Sequence, residues 1–144
     1  MRKVSQVFAI VVVAFTALSV SGCNSHRDLV PVSGHVTIDG KPVTVGQIAV
    51  FPEGRRQSIG KLDSEGRFSL ACHEAGDGAP TGQHIATITA VQSIDEHTQR
   101  WFAPRKYADK ANGVWVTIDG PTDDLKVELT WAGTKNSSPY IEKF

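Results

Sequence analysis

The sequence has few cysteines and no excess charge of either sign. It contains two Cys among 144 residues, and its fifteen basic side chains are balanced by fifteen acidic ones. Without Arg2 and Lys3 the balance becomes thirteen against fifteen. Because nucleic-acid binding requires a basic patch or stripe, this balance argues against a nucleic-acid partner.

Long hydrophobic runs are also missing. The longest apolar stretch runs from Val7 to Leu18 and is too short for a membrane span. It follows Arg2 and Lys3 and precedes small residues, which is the pattern of an export signal over residues 1–22. Val20-Ser21-Gly22-Cys23 resembles the bacterial lipobox, and this resemblance implies that Cys23 becomes the lipidated first residue of the mature chain. The alternatives are an ordinary secreted protein in which Cys23 is a structural thiol, or a single membrane anchor.

Motifs for metal binding and catalysis are incomplete. The stretch 63–66, Asp-Ser-Glu-Gly, begins like a calcium loop, but Phe68 and Leu70 follow instead of the further oxygen ligands that such a loop needs. His73-Glu74 begins like the zinc motif HExxH, but Asp77 occupies the second histidine position. The sequence has no GxSxG elbow. We therefore expect a hairpin turn at 63–66, a loop rather than a helix after His73, no metal, no cofactor and no enzymatic activity.

Other possible metal ligands are scattered along the chain. His35, Cys72, His73 and His84 have no short metal-ligand spacing. Cys72 lacks an intramolecular partner if Cys23 carries lipid. Because Cys72 alternates with Phe68 and Leu70, we expect it to be a buried, inert thiol between two sheets.

The hydrophobic pattern beyond residue 30 has a period of two. Val32, Gly34, Val36 and Ile38 share one face, and Leu125, Val127, Leu129 and Trp131 do the same near the end of the domain. Further strands are expected at 47–51, 57–62, 67–72, 83–91 and 113–118, with Gly-rich turns between them. This pattern predicts an all-β fold, an antiparallel β-sandwich of about seven strands over residues 31–131. Residues 23–30 are expected to form the lipidated N-terminus and a short linker, and residues 132–144 a flexible tail.

The pentapeptide VTIDG occurs at residues 36–40 and again at 116–120. At the first copy, Asp39-Gly40 suits a tight two-residue hairpin turn. At the second copy, Gly120 is followed by Pro121, so the connection should extend through Asp124 before a strand resumes at Leu125. The two copies therefore predict different turns, and the repeat reflects strand and turn chemistry rather than a duplication.

Four longer segments carry a family resemblance. They are VSGHVTIDGKPVTVGQIAVFPEG (32–54), LDSEGRFSL (62–70), GAPTGQHIATITA (78–90) and PRKYADKANGVWVTI (104–118). In this order they resemble the carboxypeptidase regulatory-like domains of bacterial lipoproteins, which have a transthyretin-like (prealbumin-like) sandwich. His84 departs from the family pattern, which often has an aromatic residue there. The resemblance implies an extracytoplasmic accessory domain without catalytic residues.

An enzyme alternative follows from the same fold class. His35-Val36 is similar to the His-Val pair that supplies a catalytic imidazole in transthyretin-like 5-hydroxyisourate hydrolases. Those enzymes end in Tyr-Arg-Gly-Ser, whereas this chain ends in Pro-Tyr-Ile-Glu-Lys-Phe. We therefore expect His35 to be a solvent-facing strand residue.

Residues 92–112 lack a strand pattern and are expected to form a long loop. Connections of this length are often binding loops. The segment contains aromatic residues beside basic ones, which could stack on a sugar or contact an acidic partner: Arg100, Trp101, Phe102, Arg105, Lys106 and Tyr107. Alternatively, the aromatic residues cap the open end of the core.

The leading hypothesis is a non-enzymatic, lipid-anchored protein of the cell envelope that acts as a structural or binding module. Its expected partners are the membrane, through lipid on Cys23, and an envelope glycan or protein. The alternative is a glycan- or peptidoglycan-binding lipoprotein that uses residues 92–112.

Overall fold

Short strands make up most of the molecule. The computed structural model describes residues 28–144, so the expected export signal and Cys23 lie outside the described residues. The strands are β1 Leu29–Val30, β2 Val32–Ile38, β3 Lys41–Pro42, β4 Gln47–Phe51, β5 Ser58–Lys61, β6 Arg67–Ser69, β7 Ala79–Pro80, β8 Gly82–Thr89, β9 Val91–Asp95, β10 Thr98–Trp101, β11 Val114–Ile118, β12 Thr122–Leu129 and β13 Tyr140–Lys143. Two 3-10 helices, Arg105–Ala108 and Lys110–Asn112, lie between β10 and β11.

Two larger sheets form a β-sandwich. Sheet A has the strand order β11-β8-β4-β5, and all its neighbouring strands are antiparallel. Sheet B has the order β12-β2-β3, and β6 also pairs with β2. A bridge between Ile59 and Ala71 links the edge of sheet A to the chain just beyond β6. All-β architecture was therefore predicted correctly from the alternating pattern.

The core lies between the inward faces of these sheets. Val36 and Ile38 of β2 are buried against residues of sheet A such as Ile48 and Ile88. Burying an aliphatic side chain of this size stabilises a fold by about 1.5–3 kcal/mol relative to leaving it in water. The outward residues of β2 are the polar Ser33, His35 and Thr37, so the period-two pattern identifies the inward face of this strand correctly.

One pairing in sheet B differs from the antiparallel expectation. Strand β12 runs parallel to β2, with Val127 opposite Val36 and Leu129 opposite Ile38. The reason is that β11 belongs to sheet A and β12 to sheet B, so the connection between them is a crossover and not a hairpin. Gly34 is required at this contact, because a Cβ there would collide with the backbone carbonyl oxygen of Leu125.

The two VTIDG copies adopt different turns, as predicted. Asp39 and Gly40 both have positive φ values, 48° and 78°, and Ile38 pairs with Lys41. These values identify a tight two-residue hairpin of the primed type. At the second copy, β11 ends at Ile118 and β12 begins at Thr122. The connection is therefore shorter than the expected one, which continued to Asp124, although the register is irregular between Thr122 and Leu125.

The predictions of a long loop over 92–112 and of a flexible tail over 132–144 are wrong. Strands β9 and β10 form a hairpin, and β13 pairs with β10, giving a three-stranded sheet in the order β13-β10-β9. Four of the five β9 residues are exposed. Because neither face of β9 is deeply buried, its sequence carries no alternating hydrophobic pattern. The expected linker is also partly structured, since Leu29–Val30 pairs with β7.

Candidate functional site

The aromatic residues predicted to bind a ligand are largely covered by neighbouring side chains. Trp101 is only 6% exposed, and its Nε1–H donates to Glu142 Oε2 at 2.9 Å. The same carboxylate accepts from Arg105 Nη1 at 3.1 Å, and the Arg105 guanidinium lies 5.8 Å from the centre of the Trp101 ring. The Trp101 indole is therefore enclosed by Arg105 and by strand β13.

Among the other four residues of the predicted set, basic side chains again lie close to aromatic rings. Arg100 lies 5.7 Å from the Phe102 ring, and Lys106 Nζ lies 4.9 Å from the Tyr107 ring. Tyr107 belongs to the core, and its hydroxyl donates to the Thr130 carbonyl oxygen at 3.2 Å. Phe102 packs against the core. This geometry favours the core-cap alternative, and ligand binding by this segment stays a prediction.

A groove on the outer face of sheet A is more open. Its floor is a row of three apolar side chains on adjacent strands: Trp115 of β11 lies opposite Ile85 of β8, which lies opposite Phe51 of β4. Cross-strand partners project from the same face of a sheet, so the three side chains form a continuous strip. Trp115 is 62% exposed, unlike the indole of Trp101. We call this feature the Trp115 groove.

Polar and charged residues surround the strip. The groove has a volume of about 520 Å³ and is also lined by Pro52, Glu53, Gly54, Arg55, Gln83, His84 and Lys110. Lys110 Nζ lies 3.8 Å from the centre of the Phe51 ring, so the ammonium covers that end of the strip. Arg55 forms an ion pair with Asp28 at 3.2 Å. Within residues 28–144, Lys110 has no acidic side chain within ion-pair distance.

His84 and His35, two of the possible metal ligands, lie in different sheets. His84 is 8% exposed, and its Nε2 lies 2.9 Å from the Pro80 carbonyl oxygen. A histidine can occupy the position of an aromatic residue here because this contact satisfies the ring nitrogen. His35 lies on β2, where its side chain is 44% exposed and its Nδ1 is 4.0 Å from Asp124. No cluster of three or more His, Cys, Asp or Glu in the described part of the chain could hold a metal ion.

Cys72 is buried, but it lies at the margin of the core instead of at its centre. The residue is 9% exposed, and its Sγ lies 3.8 Å from the Arg56 carbonyl oxygen. The following loop is organised by Asp77, whose carboxylate accepts from the backbone N–H groups of Cys72, His73 and Glu74. Burial alone would raise the pKa of Asp77, but these backbone hydrogen bonds lower it below its ordinary value. The stretch is a loop, as predicted, and not a zinc-binding helix.

Asp63 has the same role in the hairpin before β6. Its Oδ1 accepts from the backbone N–H groups of Glu65 and Arg67, both at 2.8 Å. Those backbone hydrogen bonds, first the one from Arg67, lower the pKa of Asp63. The carboxylate is thus occupied in a turn, as the sequence predicted.

Trp115 was missed as a candidate, although the sequence carried a signal for it. In Val114-Trp115-Val116-Thr117-Ile118, alternation places Val116 and Ile118 in the core and therefore places Trp115 on the outer face. A large aromatic residue at an outward position of a strand marks an interaction surface when it is part of a wider apolar patch. Its partners Ile85 and Phe51 could not be found this way, because their alignment depends on strand order.

Comparison of the chain with known protein families, with characterised proteins and with solved structures finds no match in any of the three. The described residues contain no helix that is long and apolar enough to cross a membrane.

Proposed function

We propose that this protein is a lipid-anchored, non-enzymatic binding module on the extracytoplasmic side of the cell envelope. Its fold is proposed to be the transthyretin-like variety of the β-sandwich, as in carboxypeptidase regulatory-like domains. The observation that carries the binding role is the Trp115 groove, where an indole with 62% exposure stands at one end of an apolar strip. Exposed apolar surface bounded by polar groups is typical of an interaction site.

The sequence motif supports the anchor. Cys23 stands at the end of a lipobox-like stretch, and the first strand begins at Leu29. An extended chain spans at most about 3.3–3.6 Å per residue, so a lipid on Cys23 would hold the domain within roughly 20 Å of its anchor point. Such a tether keeps the Trp115 groove close to material at the membrane surface.

The chemistry of the groove supports binding over catalysis. Its lining contains no Ser, Thr, Cys or Asp, and the ring nitrogen of His84 is engaged with a backbone carbonyl. A hydroxyl or thiol nucleophile activated by a neighbouring base is therefore not assembled there. The indole, the Gln83 amide and the charged rim are instead groups that contact a ligand by stacking and hydrogen bonding.

The anchor is tested by fractionating cells that express Cys23→Ser, with Cys72→Ser as the matched control. We expect Cys23→Ser to accumulate as uncleaved precursor or to move to the soluble fraction, while Cys72→Ser stays in membranes. Unchanged cleavage and membrane partitioning of Cys23→Ser would refute the lipid anchor.

The binding surface is tested by co-sedimentation of the membrane-extracted protein with isolated envelope polysaccharide. We expect Trp115→Ala to lose co-sedimentation, while Arg100→Ala and Lys106→Ala retain it. The reverse result would assign binding to residues 92–112, which is the alternative glycan-binding hypothesis. Ile141→Ala controls for exposed apolar surface, because Ile141 is 55% exposed on β13.

A further inference from the structure

We infer that the Trp115 groove binds an acidic saccharide chain, with a sugar ring stacked on Trp115 and a carboxylate of the chain paired with Lys110. This inference names a ligand class for the proposed binding module and rests on that proposed function. It follows from three features of the groove: the width of the apolar strip, the positions of its two ends, and the charge at its rim.

The strip is one residue wide. Trp115, Ile85 and Phe51 lie in a single cross-strand row, and the next row toward the chain end of β11 pairs Thr117 with Gln83. An amphipathic helix needs a broader apolar face than a single row provides. A sugar ring has apolar C–H faces and a polar edge, so it matches an exposed indole flanked by an amide and charged groups. The dimensions therefore favour a saccharide over a helical peptide.

The two ends of the strip offer different contacts. Trp115 and Phe51 are separated by two strand spacings, or roughly 10 Å. The Phe51 ring face is covered by the Lys110 ammonium at 3.8 Å, so Trp115 is the end available for stacking. A ligand that reaches both ends is longer than one sugar ring, and it meets an indole at one end and a cation at the other.

The charge at the rim favours an anion. Lys110 has no acidic partner within ion-pair distance among residues 28–144, while Arg55 is paired with Asp28. Glu53 also lines the groove and opposes anion binding there. The geometry therefore predicts opposite effects of the two charges: removing Lys110 weakens binding of an acidic chain, and removing Glu53 strengthens it.

The experiment compares oligogalacturonate with its methyl ester, which has the same backbone without the charge. Binding to the full, membrane-extracted protein is followed by tryptophan fluorescence and calorimetry. We expect Trp115→Ala to weaken binding of the acid form by about tenfold, as expected for loss of an aromatic stacking contact. Lys110→Gln should weaken binding of the acid form by about fivefold and leave the ester unchanged. Glu53→Gln should strengthen binding of the acid form by about twofold.

Controls separate failure of this inference from failure of the binding module. Lys126→Gln removes an exposed lysine of sheet B and should have no effect. Polyglutamate should bind more weakly than oligogalacturonate, and equal affinity for the two would overturn the saccharide ligand. Equal affinity for the acid and the ester, or unchanged binding of the acid form by Lys110→Gln, would overturn the inference of an acidic ligand. The proposed binding module would still stand. If neither oligosaccharide binds but Trp115→Ala still loses co-sedimentation with envelope material, the ligand is not a saccharide of this kind. If Trp115→Ala also co-sediments normally, the binding module itself is refuted.

Discussion

Asp39 in the first VTIDG copy connects the β2–β3 hairpin to the end of β12. Its backbone N–H donates to the Leu129 carbonyl oxygen at 3.0 Å, and its carboxylate accepts from Thr130 Oγ1 at 2.7 Å and from the Trp131 N–H at 3.2 Å. Its φ of 48° also lies in the left-handed region. Asp119, at the same place in the second copy, has neither the positive φ nor a side-chain hydrogen bond within the described chain.

Replacing Asp39 with Ala therefore removes two kinds of stabilisation. Loss of the carboxylate leaves the Trp131 N–H without its partner, which costs about 1–2 kcal/mol for a partly buried group. Placing Ala in the left-handed region costs about 1–2 kcal/mol more. We expect Asp39→Ala to lower the free energy of unfolding by about 2–4 kcal/mol, which is a large part of the 5–15 kcal/mol typical of a domain.

The assay is urea unfolding followed by tryptophan fluorescence, with Asp119→Ala as the matched control from an identical pentapeptide. Asp119→Ala should change the unfolding free energy by less than about 0.5 kcal/mol. Asp39→Asn should fall between the two, because Asn tolerates positive φ and keeps one acceptor oxygen. Equal effects of Asp39→Ala and Asp119→Ala would show that the local sequence, and not the set of contacts made by Asp39, determines the cost of the substitution.

Three further predictions concern other parts of the sandwich. Gly34→Ala should destabilise the domain by more than about 3 kcal/mol in urea unfolding, because the added Cβ would collide with the Leu125 backbone. An unfolding midpoint equal to that of the wild type would contradict the close contact between β2 and β12. The Cys72 thiol should react slowly with a thiol reagent in the native state and rapidly in urea, and Cys72→Ala should lower the free energy of unfolding by about 1 kcal/mol. Fast labelling of the native protein would contradict the burial of this thiol. Asp77→Ala should cost about 1–3 kcal/mol at pH 7, because three backbone N–H groups lose their acceptor. Since folding lowers the pKa of Asp77, this contribution is complete above the ordinary Asp pKa of about 3.9 and is lost as pH falls through the lower folded pKa. A difference between wild type and variant that did not shrink as the pH fell below about 3.9 would count against it.

The features predicted from the sequence are those determined by neighbouring residues. Alternation identified the inward residues of β2 and β12, because one face of each strand meets the core. The Asp39-Gly40 hairpin followed from the same local chemistry, since few residue pairs adopt two positive φ values.

The features that were missed depend on distant partners or lie in strands that have no deeply buried face. Strands β9 and β13 have largely exposed side chains, so their sequences resemble loops until β10 pairs with both. The parallel direction of β12 depends on which sheet it joins, which no stretch of a few residues specifies. The Trp115 groove was predictable only in part. Alternation could place Trp115 on the outer face, whereas its alignment with Phe51 depends on the strand order of sheet A.

The parallel pairing of β2 with β12 has a consequence for how the chain acquires its fold. Ile38 has Leu129 as its partner, so this side of β2 stays unpaired until almost the whole domain has been made. Closing a loop of that length costs about 4 kcal/mol in its length-dependent entropy alone, before the contacts it brings together can compensate. Long-range pairings of this kind slow folding. A chain that crosses a membrane with its N-terminus first would therefore emerge with β2 as an open strand edge, and the interval before β12 arrives is when it is most exposed to pairing with the wrong partner.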